Sequence, residues 1–318
     1  MGTGGMRMLD LLTRKSHPYC AALLALALVA GLPLLSSAAN VFQSGFEEGS
    51  KAIWDDYDGN PDETNLLMAD PGPFNKAGNH VMRLRAPAGR GGADLVKVLP
   101  SAHDRLFLRW FQKWEDGYNF SAPNHGSGLH AGDRDSLGRS DYRPNGSDYF
   151  NSYLEPLNGK LNLYSYYRGM YQNCADPNGS CWGDGFPCYA DQGQVFCTKP
   201  AHRPQAGKTP PVMQAGQWYC LEMMVDAGAA VSQEGQANGV QDFWINDVEY
   251  GPFQTLWHRT TADLKLSILW MNLFHHDATH SVAGILLDDI VVSTERVGCG
   301  APPTVQPPLA PIDLRVNP

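Results

Sequence analysis

Two neighbouring runs decide the fold class: Tyr149-Phe150-Asn151-Ser152-Tyr153-Leu154-Glu155 and Lys160-Leu161-Asn162-Leu163-Tyr164-Ser165-Tyr166-Tyr167-Arg168. Both change character at every second residue, the period of a β-strand whose successive side chains point to opposite faces. In the second run Asn162, Tyr164, Tyr166 and Arg168 share one face, and Leu161, Leu163 and Ser165 share the other. In the first, Tyr149, Asn151, Tyr153 and Glu155 lie opposite Phe150, Ser152 and Leu154. The pair reads as a hairpin with apolar side chains packed beneath and a platform of tyrosines and amides above.

The rest of the chain reads the same way. Candidate strands cover 80–85, 105–113, 149–155, 160–167, 217–225, 239–245, 264–273 and 285–293, separated by loops rich in Gly, Asn, Asp and Pro. Thirty-three glycines, 23 prolines and 10% aromatic residues suit many short strands joined by turns. Beyond residue 39 no stretch keeps a helical apolar period over three turns. The expected fold is all-β: a two-sheet jelly-roll sandwich with a concave groove on one outer face. Segment 170–211 carries four cysteines, six prolines and five glycines and reads as a disulfide-stapled loop inserted in the jelly-roll domain 40–300. Residues 301–318 form a Pro-rich C-terminal tail that adds nothing to a core.

Residues 1–39 carry the marks of a signal peptide. Arg7, Arg14 and Lys15 precede an apolar run over 19–35, and Ser37-Ala38-Ala39 supplies the small residues of a cleavage site before Asn40. The apolar run is shorter than the roughly 20 residues that span a bilayer. We therefore expect a secreted protein, extracellular or periplasmic, without stable membrane insertion. Removing 1–39 takes away three basic residues and one acidic one, so the net charge goes from −9 to −11. That balance, with no basic run, excludes nucleic acid and anionic membranes as natural partners.

Six cysteines remain after Cys20 leaves with the signal: Cys174, Cys181, Cys188, Cys197, Cys220 and Cys299. An even count in an exported chain reads as three disulfides. Spacings of seven, seven and nine positions lack the close pair of a zinc ribbon. We expect the four clustered cysteines to pair locally and Cys220 to join Cys299.

Three stretches carry a family resemblance. One is Gly216-Gln217-Trp218-Tyr219-Cys220-Leu221-Glu222, continued by the hairpin Asn238-Gly239-Val240-Gln241-Asp242-Phe243-Trp244-Ile245-Asn246-Asp247. Another is the strand at 106–114 followed by Gly117-Tyr118-Asn119-Phe120 and the glycine-rich loop Gly126-Ser127-Gly128-Leu129-His130-Ala131-Gly132. The last joins 266–276 to Ile285-Leu286-Leu287-Asp288-Asp289-Ile290-Val291-Val292. Together they resemble polysaccharide lyases of the concanavalin-like jelly-roll type, especially the alginate lyase and glucuronan lyase families. The chain departs from them at Phe274-His275-His276-Asp277, where those lyases tend to have a glycine-rich turn.

The chemistry follows from residue type. Glycoside hydrolysis on such a sandwich needs two acids at alternate positions of one strand, and no such strand is present. Glu222, Asp226 and Asp242 are scattered and read as surface or turn acids. Elimination from a uronic acid instead needs a neutralised carboxylate, a base for the C5 proton and an acid for the departing oxygen, and requires no cofactor. Tyr164 or Tyr166 fits base and acid, while His125, Asn151 and Arg168 fit the carboxylate. Tyr149, Tyr153, Asn162, Arg143, His130, His275 and His276 are candidate substrate-binding residues, and Arg139 is a further source of positive charge. Only one of His275 and His276 can face the groove, because adjacent strand residues point to opposite faces.

A solvated outer face, or a platform that stacks sugars without chemistry, would show the same alternation. The resemblance also implies a structural calcium ion between the first and last strands, with Glu47 and Asp289 as its carboxylates. The function read from the sequence is a polysaccharide lyase that cleaves a uronate-containing glycan by β-elimination; the alternative is a non-catalytic, lectin-like carbohydrate-binding protein.

Overall fold

The computed structural model describes residues 40–57, 65–85, 91–121, 124–140, 142–171, 182–189, 204–205, 207–275 and 283–300. By its contacts the chain divides into two units, 1–37 and 38–318, and every described residue belongs to the second. The expected signal segment, the tail, His276, Cys174, Cys181 and Cys197 lie outside the described residues. Within them no helix is long and apolar enough to cross a membrane.

The strands, numbered in chain order, sort into two antiparallel sheets. The first sheet holds β1 (Asn40–Ser44), β3 (Asn65–Ala69), β4 (His80–Leu84) and β6 (Arg105–Trp114). It also holds β12 (Trp218–Asp226), β13 (Gly239–Ile245), β14 (Val248–Glu249), β15 (Phe253–Leu256) and β17 (Ile285–Ser293). Its order is β14-β13-β12-β6-β17-β4-β3, with β1 on β17 and β15 on β13.

The second sheet comprises β2 (Asp56–Tyr57), β5 (Gly92–His103), β7 (Asn124–His125), β8 (Ser127–Gly132), β9 (Tyr149–Leu157), β10 (Lys160–Tyr166), β11 (Asp184–Phe186) and β16 (Leu266–His275). It runs β11-β10-β9-β8-β16-β5-β2, with β7 beside β16. This is the expected jelly-roll sandwich.

The alternation read from the sequence is what glues the sheets together. Phe150, Leu154, Leu161 and Leu163 turn inward and join Trp110, Trp114, Phe243 and Phe253 in one buried core. Two serines on the same inward face do not disturb it. Ser152 and Ser165 both donate to the Gln241 carboxamide oxygen, at 3.0 and 2.8 Å, and Gln241 in turn meets His258 at 3.0 Å. A polar network is tolerated between sheets because its members satisfy one another.

Two expectations need correction. Most of the glycine-rich stretch expected as a loop is a strand, β8 (Ser127–Gly132), in the middle of the second sheet, and β5 is a strand beyond those expected. Glu222 and Asp242 are not surface acids. Glu222 is fully buried on the outer side of β12, where it accepts the Val297 and Gly298 amides at 2.7 and 3.0 Å. Asp242 accepts the Gly251 amide at 3.0 Å. Asp226 alone fits the expectation, pairing with an exposed Arg105. The Cys220–Cys299 disulfide forms as expected, closing a separation of 79 residues and pinning the chain's 296–299 stretch beside β12. Cys188 is also disulfide-bonded.

Candidate active site

The outward face of the second sheet holds a cavity of about 530 Å³. β10 contributes Tyr164 and Tyr166, β9 Asn151 and Tyr153, β7 His125, β16 Trp270, Asn272 and Phe274, and β5 Asp94. Residues 137–140, including Arg139, lean over one side.

Register explains the assembly. Tyr164 pairs with Tyr153, Tyr153 with Gly128, and Gly128 with Trp270, forming one row across four strands. A Cβ on Gly128 would lie 1.9 Å from the Ser152 carbonyl oxygen, so only glycine fits there. The missing side chain lets the Tyr153 and Trp270 rings meet edge-to-face at 5.4 Å. Trp270 is further fixed by donating its indole N–H to Asp94, at 2.7 Å.

The polar groups are held as firmly. The Tyr164 and Tyr166 hydroxyls are 3.1 Å apart, and the Gly183 amide donates to the Tyr164 oxygen at 2.9 Å. With Gly183 filling one lone pair, the Tyr164 hydroxyl is free to donate to Tyr166. Asn151 accepts the Tyr166 backbone N–H at 3.1 Å, so its amide hydrogens are what it offers elsewhere. Burial pushes the Tyr164 phenol well above its ordinary range, with Tyr166 and Glu155 adding to the effect, so it is a protonated donor at neutral pH.

His125 is stacked between Tyr164 and Phe274, with centroids 5.0 and 5.9 Å away. Its Nδ1 lies 2.7 Å from the Glu155 carboxylate. Burial alone would lower the imidazole pKa. The Glu155 charge and hydrogen bond outweigh burial and leave it raised. Burial likewise raises the Glu155 carboxyl, with His125 opposing.

Of the residues singled out from the sequence, His125, Arg139, Asn151, Tyr153, Tyr164 and Tyr166 line this cavity. The remaining described ones do not. Tyr149 lies on the same strand face, but it is buried and its hydroxyl donates to the Tyr142 carbonyl at 3.1 Å. His130 stacks on Tyr149 and contacts Ser136 Oγ at 2.9 Å. Asn162 is buried, reaching the Glu155 carbonyl at 3.4 Å. β10 ends at Tyr166, so Arg168 leaves the alternation and lies over the Trp257 ring at 4.8 Å. Arg143 donates to the Arg168 carbonyl at 3.0 Å. On β16, Phe274 faces the cavity, and the buried His275 turns the other way, toward Tyr118.

Among the described residues Arg139 is the arginine at the cavity, its guanidinium 4.1 Å over the Tyr142 ring. Sequence reasoning gave no role to Glu155, Asp94, Trp270, Asn272 or Phe274. Glu155 did stand on the correct face of its strand, and β5 carries a largely apolar stretch with two β-branched valines, Leu95-Val96-Lys97-Val98-Leu99.

The proposed calcium carboxylates do lie together: a Cβ on Gly45 would lie 3.4 Å from Asp289 Oδ1 and 3.7 Å from Glu47 Cγ. They do not fit an oxygen cage. Lys76 holds Glu47 at 2.5 Å, and Arg109 donates to the Asp289 carbonyl at 2.7 Å, so two cations already occupy that corner. Among the described residues no group of three or more His, Cys, Asp or Glu side chains is placed to hold a metal.

Neither a protein-family model nor a curated protein sequence matches the chain. Solved structures do. An alginate lyase from Chlorella virus shares 12% identity over 81% of this chain and 100% of its own, with a TM-score of 0.58. An alginate lyase from Aplysia kurodai, at 13% identity and the same coverage, gives 0.55. An endo-β-1,4-glucuronan lyase from Trichoderma reesei shares 12% over 81% and 96%, with a TM-score of 0.51. Identities this low speak to the fold alone. The chain has the jelly-roll fold of these polysaccharide lyases.

Proposed function

We propose that the protein is a secreted polysaccharide lyase that cleaves a uronate-containing glycan by β-elimination. One observation carries this reading: two hydrogen-bonded tyrosine hydroxyls share a cavity with a histidine that is biased toward its cation. The sugar carboxylate is met by His125, Arg139 and the Asn151 amide, which together withdraw charge from C5 and make its proton removable.

Tyr166, as phenolate, takes the C5 proton. Tyr164 donates a hydrogen bond to that phenolate and lowers the cost of forming it. The C5–H electron pair becomes the C4=C5 double bond, and the C4–O bond breaks with its pair on the leaving oxygen. Tyr164 then gives its proton to that oxygen. Transfer from Tyr166 to Tyr164 across the 3.1 Å contact restores both side chains. Nothing is oxidised or reduced. Trp270, Tyr153 and Phe274 supply ring faces and edges for the sugar.

The same aromatic lining also favours a second reading, a lectin-like protein that holds the glycan without cleaving it. The two separate on a panel of alginate, glucuronan, pectate and glycosaminoglycans, followed at about 235 nm where the unsaturated product absorbs. Rising absorbance with one polyuronate supports the lyase. Tight binding with flat absorbance across the panel overturns it in favour of the lectin.

A further inference from the structure

Glu155 is placed where no requirement of packing puts it. Its carboxylate is almost completely buried at the back of the cavity wall, beneath His125. A buried carboxylate is disfavoured unless a cation or several donors face it. Here the donors are the His125 ring, at 2.7 Å, and the Gly126 amide. Gly126 reaches it only because it lacks a side chain, since a Cβ there would sit 2.1 Å from the Leu154 carbonyl oxygen. β9 thus carries a charge directly behind the imidazole, and the loop before β8 is shaped to approach it.

The other surroundings of His125 favour the same form. Tyr164 from β10 and Phe274 from β16 stack on its two faces, with interplanar angles of 22° and 19°. Aromatic faces attract a cation. Among the described residues, charged or titratable groups nearby include the Tyr166 hydroxyl beside Tyr164, Tyr118 close to Glu155 with His275 against it, and Asp94 and Arg139 on the far walls of the cavity. Arg139 stacks on Tyr142 rather than on His125.

We propose that Glu155 is a positioning residue that holds His125 as an imidazolium at the cavity wall, so that the site selects a sugar with an ionised carboxylate over its neutral ester. The proposal rests on the lyase reading for its substrate and on the Glu155–His125 geometry for its physics. A neutral imidazole would treat acid and ester alike. A fixed cation gains an ion pair with the acid only.

The test is an NMR titration of the His125 ring in the wild-type chain and in Glu155→Gln, paired with cleavage rates on a polyuronate and on its methyl ester. The wild-type ring is expected to stay protonated above its ordinary value of about 6.5. In Glu155→Gln it should titrate at or below that value. The pH profile of polyuronate cleavage should then move toward acid by about one unit, a tenfold loss on its alkaline side, with ester cleavage unchanged. The preference for acid over ester should drop by about the same factor.

A wild-type His125 that titrates at or below its ordinary value overturns the proposal, and that measurement needs no variant to fold. An unchanged titration or an unchanged acid-to-ester preference in Glu155→Gln overturns it as well. Failure of the lyase reading shows differently. No polyuronate would be cleaved, whether or not one is bound, while the wild-type titration would still show Glu155 holding the imidazolium.

Discussion

The two ends of the β7–β10 face carry the same kinds of residue and have opposite fates. At one end His125, Tyr164, Tyr166 and Asn151 open onto the cavity. Toward the other, His130, which pairs with Asn151 across β8 and β9, and Tyr149 lie on the same side of the same sheet and are covered by residues of 133–140 and 142–148. The Ser136 hydroxyl gives its proton to the Asp133 carbonyl and so accepts from His130 Nε2. Burial drives the His130 imidazole down to about 4, whereas His125, backed by a carboxylate, is raised. Strand alternation assigns a side chain to a face. What covers that face decides whether the side chain can do chemistry.

Paired substitutions sharpen the contrast, the largest effect first. Tyr166→Phe should lower the rate of elimination by about 10²–10⁴-fold, the usual reach of a positioned acid–base group. Tyr149→Phe, at the roofed end, should leave that rate in place. Equal losses from the two would erase the distinction.

The histidines give the next effect, in stability. A buried neutral His130 contributes stability that is present above its unfolded value and lost as pH falls from about 6.5 to about 4. His258, also held down at about 4, behaves the same way, and each contributes on the order of 3 kcal/mol. His125 has the opposite sign: its raised value gives stability that is present at low pH and lost as pH rises through it. Denaturant unfolding across that range should show His130→Gln losing less stability in acid than the wild type. His125→Gln should lose at least as much as the wild type.

A smaller effect separates the arginines. Arg139→Ala should raise KM for a polyuronate about tenfold through one lost ion pair, and Arg168→Ala should not. The smallest is the cost of Tyr149→Phe itself. It should reduce stability by about 1 kcal/mol, as the Tyr142 carbonyl loses its donor.

The fold was legible because alternation is a local signal. Strands β9, β10, β13 and β17 could be read from apolar and polar residues at every second position. β8 could not, because Gly126, Gly128 and Gly132 look like a loop. In the sheet those glycines are required by close backbone approach to β9. Half of the site was legible for the same reason: Asn151, Tyr153, Tyr164 and Tyr166 sit on one face of two adjacent strands. Arg168 falls outside the alternation because β10 ends two residues before it. Tyr149 and His130 were assigned to the correct side, but no local pattern announces the segment that roofs them. Trp270, Phe274 and Asp94 come from strands remote in sequence, and only the register of the second sheet brings them to the cavity.

The most direct measurement is the mass of the fragments released when the wild-type protein is incubated with the polyuronate it binds best. Elimination leaves each new non-reducing end lighter by one water than hydrolysis would. The account predicts those lighter fragments, and their near disappearance with Tyr166→Phe. Fragments carrying the full water, or a polymer that stays intact on the protein, would contradict it.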